Sequence, residues 1–186
     1  MSWNPFENWT RNNLKVITPE ELLIRYDNGE RDFSGVDLVF SDEAFFYYSE
    51  IELKGIILKD IILRGAVLRE VDMTQVDLSG ADLGGIFMEE CNLCKATIRE
   101  ANLRGACLSG CCFDGADLQG SNLHHINGSF TTFRGAKINY FENAILIRSN
   151  FEGAIINGTI CSRYSNNFLY QTTMPDGQVI KNALLC

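Results

Sequence analysis

The side chains able to do chemistry in this 186-residue chain are seven cysteines, two histidines and a surplus of carboxylates, with 24 acidic against 16 basic residues. Cys91-Asn92-Leu93-Cys94 is a CxxC pair, and Cys111-Cys112 begins twenty residues after Cys91. Zinc would need four such ligands converging at about 2.3 Å for sulfur. His124 and His125 stand side by side, where an imidazole could act as a base or a ligand. Nucleophilic catalysis would need serine, histidine and acid brought into one site. Neither a GxxxxGKS/T phosphate loop nor a dinucleotide fingerprint occurs. What the cysteines and histidines can do therefore depends on the elements that position them.

Those elements follow from a repeat of five residues. Stepping by five from Phe33 through Leu38, Leu53, Leu58 and Leu63 to Ile138 lands on apolar residues at every site except Glu43 and Gly128. With apolar residues at 46% of the chain, such a run is not chance. The positions two residues earlier form a second register, from Val36 to Ala136, of Ala, Ser, Thr, Cys, Val or Ile everywhere except Phe46. On a helix a step of five winds round every face, and on a continuous strand it alternates in and out. A short extended piece followed by a corner resolves this. With i the apolar site, residues i−2 and i point inward, i−1 points outward, and i+1 with i+2 turn the chain. Ser34-Gly35, Arg64-Gly65, Ser79-Gly80 and Arg104-Gly105 occupy such corners, glycine supplying the positive φ of a type II turn. Four right-angle corners close a square coil of about twenty residues, and stacked coils pair their backbones at roughly 4.8 Å per layer.

Ala81-Asp82-Leu83, Ala101-Asn102-Leu103, Ala116-Asp117-Leu118 and Ser121-Asn122-Leu123 resemble the A(D/N)LXX signature of pentapeptide-repeat proteins. The resemblance covers about residues 31–163 and implies an all-β solenoid, a right-handed quadrilateral parallel β-helix. The flanking TPEELLIRYDNGERDFSG and TTMPDG resemble cyanobacterial members in particular. Three segments are expected: an N-terminal helical cap over residues 1–30, the β-helix over 31–163, and a C-terminal insertion, last partial repeat and tail over 164–186.

The register breaks in places. From Ile138 the next inward residue, Leu146, lies eight residues on, which reads as three extra residues in a loop or bulge near 139–143. From Cys161 the next match is Met174, thirteen residues on, another insertion. Residues 39–48 carry Glu43 on an inward site and should depart from ideal geometry, by misregister or, less simply, around a functional buried acid. Thr18 with Pro19 and Glu21 is a helix start, Leu22, Leu23 and Tyr26 share its face, and Gly29 stops it. Trp3, Phe6 and Trp9 should pack over the same end. Ala183-Leu184-Leu185 could cover the other end or meet a second subunit.

The repeat places the chemistry. Cys91 and Cys111 point inward one coil apart, Cys94 sits on a corner and Cys112 points outward, so no zinc site forms. They read as small fillers and free thiols, although a Cys91–Cys111 disulfide stays conceivable. His124 and His125 lie on a corner with no partner fixed by the repeat. Neither a catalytic, a cofactor-binding nor a metal site is assigned. Outward residues read every twenty give four rows. Three are polar: Asp37, Ile57, Asp77, Thr97, Asp117, Lys137; Asp42, Ile62, Asp82, Asn102, Asn122; and Asp32, Glu52, Asp72, Asn92, Cys112, Thr132. The fourth is an apolar stripe of Tyr47, Val67, Phe87 and Cys107, ending at Asn127. Such a patch marks a protein-interaction surface or lies beneath an N-terminal segment folded back over it.

A formal net charge of −8 makes direct nucleic-acid binding unfavourable. No apolar run long enough to span a membrane and no signal-like N-terminus is present. The odd cysteine count then suggests reduced thiols in a cytoplasmic protein, monomeric or weakly dimeric. The function expected is a non-enzymatic scaffold for a protein partner. The alternative implied by the resemblance is an acidic rod-like DNA mimic acting on a DNA topoisomerase or another DNA-binding protein. Arg64, Arg69, Arg99, Arg104, Arg134, Lys54 and Lys59 interrupt the acid that such mimicry needs.

Overall fold

A computed structural model describes residues 14–38, 53–162 and 165–186. The chain winds as a right-handed quadrilateral β-helix whose faces are built from very short parallel pieces. One complete repeat shows what holds it. Val76 N–H closes the preceding corner on Met73 O at 3.1 Å, Asp77 N–H donates to Ile56 O of the coil before at 2.9 Å, and Leu78 N–H to Thr97 O of the coil after at 2.7 Å. Gly80 N–H reaches Arg99 O at 2.9 Å, and Ser79 N–H is taken by the Asp77 carboxylate at 3.0 Å. All five amides of the repeat are satisfied, four by backbone and one by a side chain.

That fifth bond explains the Asp or Asn of the signature. The same carbonyl or carboxylate oxygen accepts from the corner amide two residues on at Asp82 (3.1 Å), Asn92 (3.1 Å), Asn102 (3.2 Å), Asp117 (3.1 Å) and Asn122 (3.0 Å). The corner residue at i+2 is left-handed throughout. Glycine is frequent there, but Asp60, Glu70, Lys95, Glu100 and His125 adopt φ of 55 to 60° at the same site. At Gly120 the requirement is double, since φ is 78° and a Cβ would sit 3.0 Å from Glu100 Cγ.

Both inward registers are buried from Leu58 to Ala154, whereas Ile56, Ile156 and Cys161 are only partly buried and Thr159 is exposed. Leucines stack up each face until Gly128, where a side chain is missing. There Leu146 and Phe133 come to 3.2 and 3.7 Å of where a Cβ would sit, and beside them Phe113, Phe133 and Phe151 stack with centroids 5.3 and 5.0 Å apart while Phe141 meets Phe133 and Phe151 edge-on. Hydroxyls at i−2 are buried without penalty because each donates to a carbonyl of the neighbouring coil, as Thr131 does to Leu108 O (2.6 Å) and Ser149 to Gly128 O (2.8 Å).

The coils are not all twenty residues long. Asp37 pairs with Val67 and Asp32 with Ile62, thirty residues on in each case. Asp37 therefore belongs below Val67 in the apolar row, and Asp32 below Ile62, which corrects the rows to which the step of twenty assigned them. The ten extra residues fall within 39–52, outside the described residues, as do Glu43 and Tyr47. The expected insertion near 139–143 is a contraction instead: Asn127 pairs with Ile145 and Lys137 with Ile155, eighteen residues on. Phe141 takes the inward place, three residues after Ile138 rather than five. The next coil is three residues longer, Ile145 pairing with Phe168, and Leu169 and Met174 continue the inward series.

The ladder runs beyond residues 31–163 on both sides. Strand β1 (Lys15–Ile17) pairs in parallel with β2 (Val36–Leu38), which continues to β3 (Val67–Arg69) and β4 (Phe87–Glu89) on one face. Between β1 and β2 lies one short helix, α1 (Pro19–Asp27), whose Thr18 hydroxyl caps Glu21 N–H at 3.2 Å and whose Leu22 enters the core. Tyr26 OH reaches Lys59 O at 2.9 Å, covering an otherwise open coil edge. Trp3, Phe6 and Trp9 lie outside the described residues. Another face carries β5 (Asp117–Leu118), β6 (Lys137–Ile138) and β8 (Ile155–Ile156). At the far end β7 (Ile145–Ile147) pairs with β9 (Phe168–Tyr170), β10 (Thr172–Thr173) turns back into β11 (Val179–Ile180), and β12 (Leu184–Leu185) lies antiparallel on β9.

Two outcomes test this architecture. Leu83→Asp or Leu103→Asp buries an unpaired charge among packed leucines and should abolish the cooperative thermal transition of the central coils; an unchanged midpoint would contradict the inward assignment. Asp82→Asn keeps the acceptor for Gly84 N–H and should be nearly neutral, whereas Asp82→Ala should cost about 1 kcal/mol by denaturant titration. Burial works to raise the Asp77 and Asp82 carboxyls, but hydrogen bonds from Ser79 and Gly84, with Lys59 and Arg64, hold both below the usual range. Their folded values being depressed, their contribution is present above an unfolded value of about 3.9 and lost as pH falls through the folded values. Stability should therefore decline below about pH 4, and less steeply in Asp77→Asn with Asp82→Asn.

Candidate functional site

The apolar row sits on the face made by β2, β3 and β4. Its outward residues follow the ladder Asp37, Val67, Phe87, Cys107, Asn127, Ile145 and Phe168. Val67, Phe87 and Cys107 thus stack as the repeat requires, while Tyr47 lies outside the described residues. They are not an open stripe, however. Val67 and Cys107 are each only 5% exposed, against 62% for Ile57 at the equivalent outward site of another face. Phe87 is half-buried under the Arg69 guanidinium, 5.3 Å from the ring centroid. Arg69 also lies 3.7 Å from Asp37 and 3.6 Å from Glu89, so a charged clasp closes over the middle of the row. Solvent reaches the row at its C-terminal end. Ile145 is 43% exposed, and Leu185, paired to Phe168 in register, 69%. These residues escape a count by twenty because the shortened and lengthened coils shift them; counting by eighteen from Asn127 would have found Ile145.

The acids are arranged by one geometry. A base on the corner of one coil reaches the outward acid of the next, eighteen residues on: Lys59 to Asp77 at 3.2 Å, Arg64 to Asp82 at 3.1 Å and Arg99 to Asp117 at 3.0 Å. Arg134 and Asp114 pair directly across two coils at 2.6 Å. Much of the carboxylate on these faces is thereby matched by a neighbouring cation. Exposed pairs of this kind add little to stability, but they flatten the field around the rod.

Cys94 and Cys112 occupy that same diagonal, corner to outward site, and form a disulfide with Cα atoms 5.7 Å apart. Cys161 and Cys186 form a second, with Cα atoms 5.1 Å apart. Both correct the expectation of reduced thiols throughout. The reason is geometric: opposite assignments within a repeat do not separate residues that are diagonal neighbours on successive coils. Cys91, Cys107 and Cys111 are buried free thiols. Cys91 and Cys111 stack one coil apart as expected; the hydrogen bond between them, with burial, pushes the Cys111 thiol far above its ordinary range, which makes it an inert filler.

The histidines also differ from expectation. The eighteen-residue coil brings Glu142 to within 3.6 Å of His124 Nδ1 and Tyr140 OH to within 3.3 Å of Nε2, giving His124 partners on both ring nitrogens. All three side chains remain partly in solvent, and His125 is exposed on the corner. Among the described residues no three potential metal ligands converge, and the groove beside Lys59, Ser79 and Arg99 is shallow and open. No helix among the described residues is long and apolar enough to cross a membrane.

Comparison with known proteins agrees with this geometry. Eight copies of the family described as pentapeptide repeats match over residues 49–85, 72–110 and 111–140. No curated protein matches the chain. Among solved structures the chain is similar to trypsin-treated QnrB1, a plasmid-mediated fluoroquinolone resistance protein, at 15% identity and a TM-score of 0.49, covering 86% of this chain and 72% of that one. It is similar to the pentapeptide repeat protein Rfr23 from the cyanobacterium Cyanothece 51142 at 22% identity and a TM-score of 0.45, covering 74% and 95%. HetL, a pentapeptide repeat protein involved in heterocyst differentiation regulation from Nostoc sp. strain PCC 7120, is 20% identical with a TM-score of 0.31, covering 88% and 99%. The chain whose amides, corners and inward leucines have been described belongs to the pentapeptide-repeat family.

Proposed function

We propose that this chain is a non-enzymatic scaffold that binds a protein partner on the face carrying Val67, Phe87, Cys107 and Ile145, at its solvent-open end around Ile145 and Leu185. The observation that carries the reading is the apolar ladder on the outer side of that face, which the interior does not need and which opens to solvent toward Ile145 and Leu185. Polar residues fill most equivalent sites of the other faces, so the fold does not demand apolar ones here. Burying a large exposed apolar side chain such as Ile145 or Leu185 in a complex is worth about 1.5–3 kcal/mol, and the rigid ladder holds Ile145 in place beforehand. A scaffold also suits an interior filled with leucine and phenylalanine, and titratable groups that lie mostly on exposed corners.

The acidic net charge of −8 favours a second reading, a rod-like mimic of DNA acting on a topoisomerase. The diagonal pairing of Asp77, Asp82 and Asp117 with bases weakens it, because mimicry needs uncompensated acid along the rod. A cytoplasmic, reduced setting loses its support from the cysteines, since two disulfides fit an oxidising compartment better.

Affinity capture from native extract separates the readings. Phe87→Asp with Ile145→Asp should stay folded by circular dichroism and lose the partner retained by wild type. If the folded variant captures every wild-type partner, the interface is elsewhere. Protection or inhibition of DNA gyrase in a supercoiling assay at micromolar protein would favour the mimic instead.

A further inference from the structure

We propose that the Cys161–Cys186 disulfide is a reducible latch that holds strand β12 across the edge of the solenoid, and that a dithiol reductant opens it. The latch is independent of the scaffold reading. Strand β12 is two residues long, and both Leu184 and Leu185 are exposed, so little apolar burial holds it down. Its backbone tie is short: beyond the two-residue pairing of Leu184 with Leu169 and Leu185 with Phe168, Asn167 N–H donates to Cys186 O at 2.7 Å and Cys186 N–H to Asn167 O at 3.0 Å, with Ser165 Oγ adding a bond to Cys186 O at 2.9 Å. A few hydrogen bonds do not outweigh the entropy of ordering so short and exposed a segment. The covalent bond supplies the difference.

What lies beneath the latch is fastened separately. The buried Asn167 side chain donates to Phe141 O at 3.0 Å and to Ile160 O at 2.7 Å, and accepts from Ala144 N–H at 2.9 Å. Phe168 N–H is held by Ala144 O at 2.8 Å on the inner side. Opening the latch therefore frees β12 and leaves β9 in place, its outer backbone edge unpaired and able to take another extended strand. The other disulfide differs. Cys94 and Cys112 lie on coils already joined on either side by Leu93 N–H to Cys112 O at 2.7 Å and Lys95 N–H to Asp114 O at 2.8 Å, so its reduction releases nothing.

The chemistry balances with a dithiol carrier of the thioredoxin class or dithiothreitol as its probe. One carrier thiolate attacks a sulfur of the Cys161–Cys186 bond, giving a mixed disulfide and one cysteine thiol. The second carrier thiol displaces the other cysteine. Two electrons and two protons pass to Cys161 and Cys186, and the carrier leaves as its own disulfide. Both half-cystines are partly exposed, which admits the reagent.

Amide hydrogen exchange on the full chain tests this, with and without dithiothreitol, alongside alkylation and mass spectrometry to count thiols. On reduction, the Asn167 amide should exchange at least tenfold faster while Phe168, Leu83 and Leu103 keep their protection. Cys186→Ser should show the fast Asn167 exchange without reductant, and Cys94→Ser with Cys112→Ser should behave as wild type. The proposal is overturned if Asn167 stays protected once Cys161 and Cys186 are shown to be reduced. It is equally overturned if the central amides lose protection together with Asn167, or if both cysteines alkylate before any reductant is added.

Discussion

Everything in this molecule depends on how the five amides of each repeat find acceptors. Two reach the coil after, one the coil before, one closes a corner, and the last is taken by an outward Asp or Asn. Because three of five bonds go to neighbouring coils, no coil is stable alone, and the fold exists only as a stack. The inward leucines supply the burial that offsets the entropy of ordering so short a repeat, but the amides decide its length. A residue more or fewer would leave a buried N–H without a partner unless a corner absorbed it.

Where the length changes, the chain shows how it is absorbed. The contraction to eighteen residues removes two corner residues after Ile138 and lets Phe141 enter three residues later. That phenylalanine then packs edge-on against Phe133 and Phe151, while Leu146 and Phe133 close on the space left by Gly128. The lengthened coil that follows is secured by Asn167, whose amide group satisfies three backbone partners in the core. These adjustments turn the row of Val67, Phe87 and Cys107 toward Ile145 and Phe168, extending an apolar face that would otherwise end at Asn127.

The period of five was legible because it marks every inward site from Leu53 to Ile138 except Gly128 in the types of the residues themselves. The faces were not equally legible. Ten residues more than a coil of twenty lie between the two pairings, a number divisible by five, so the step of five keeps its phase from Leu38 to Leu53 while Asp32 and Asp37 move to different faces. The change after Ile138 did show as a step of eight, but eight is both three more than one repeat and two fewer than two, and only pairing of Lys137 with Ile155 decides between them. The Cys94–Cys112 bond was hidden for a related reason. Pointing inward, outward or onto a corner describes one repeat, whereas this bond joins two coils along the diagonal used by Arg99 and Asp117. The cover of Val67 and Cys107 leaves no mark on the repeat at all.

The most direct measurement of the central claim is through-hydrogen-bond scalar coupling by NMR, which identifies the acceptor of each amide. The account predicts coupling from Leu58 N–H to the Asp77 carbonyl, from Phe133 N–H to the Asn150 carbonyl, and from Phe33 N–H to the Ile62 carbonyl. Those three span a regular coil, the shortened coil and the lengthened one. Coupling of Phe33 N–H to the carbonyl of Glu52, where an unbroken coil of twenty would place it, would contradict the account.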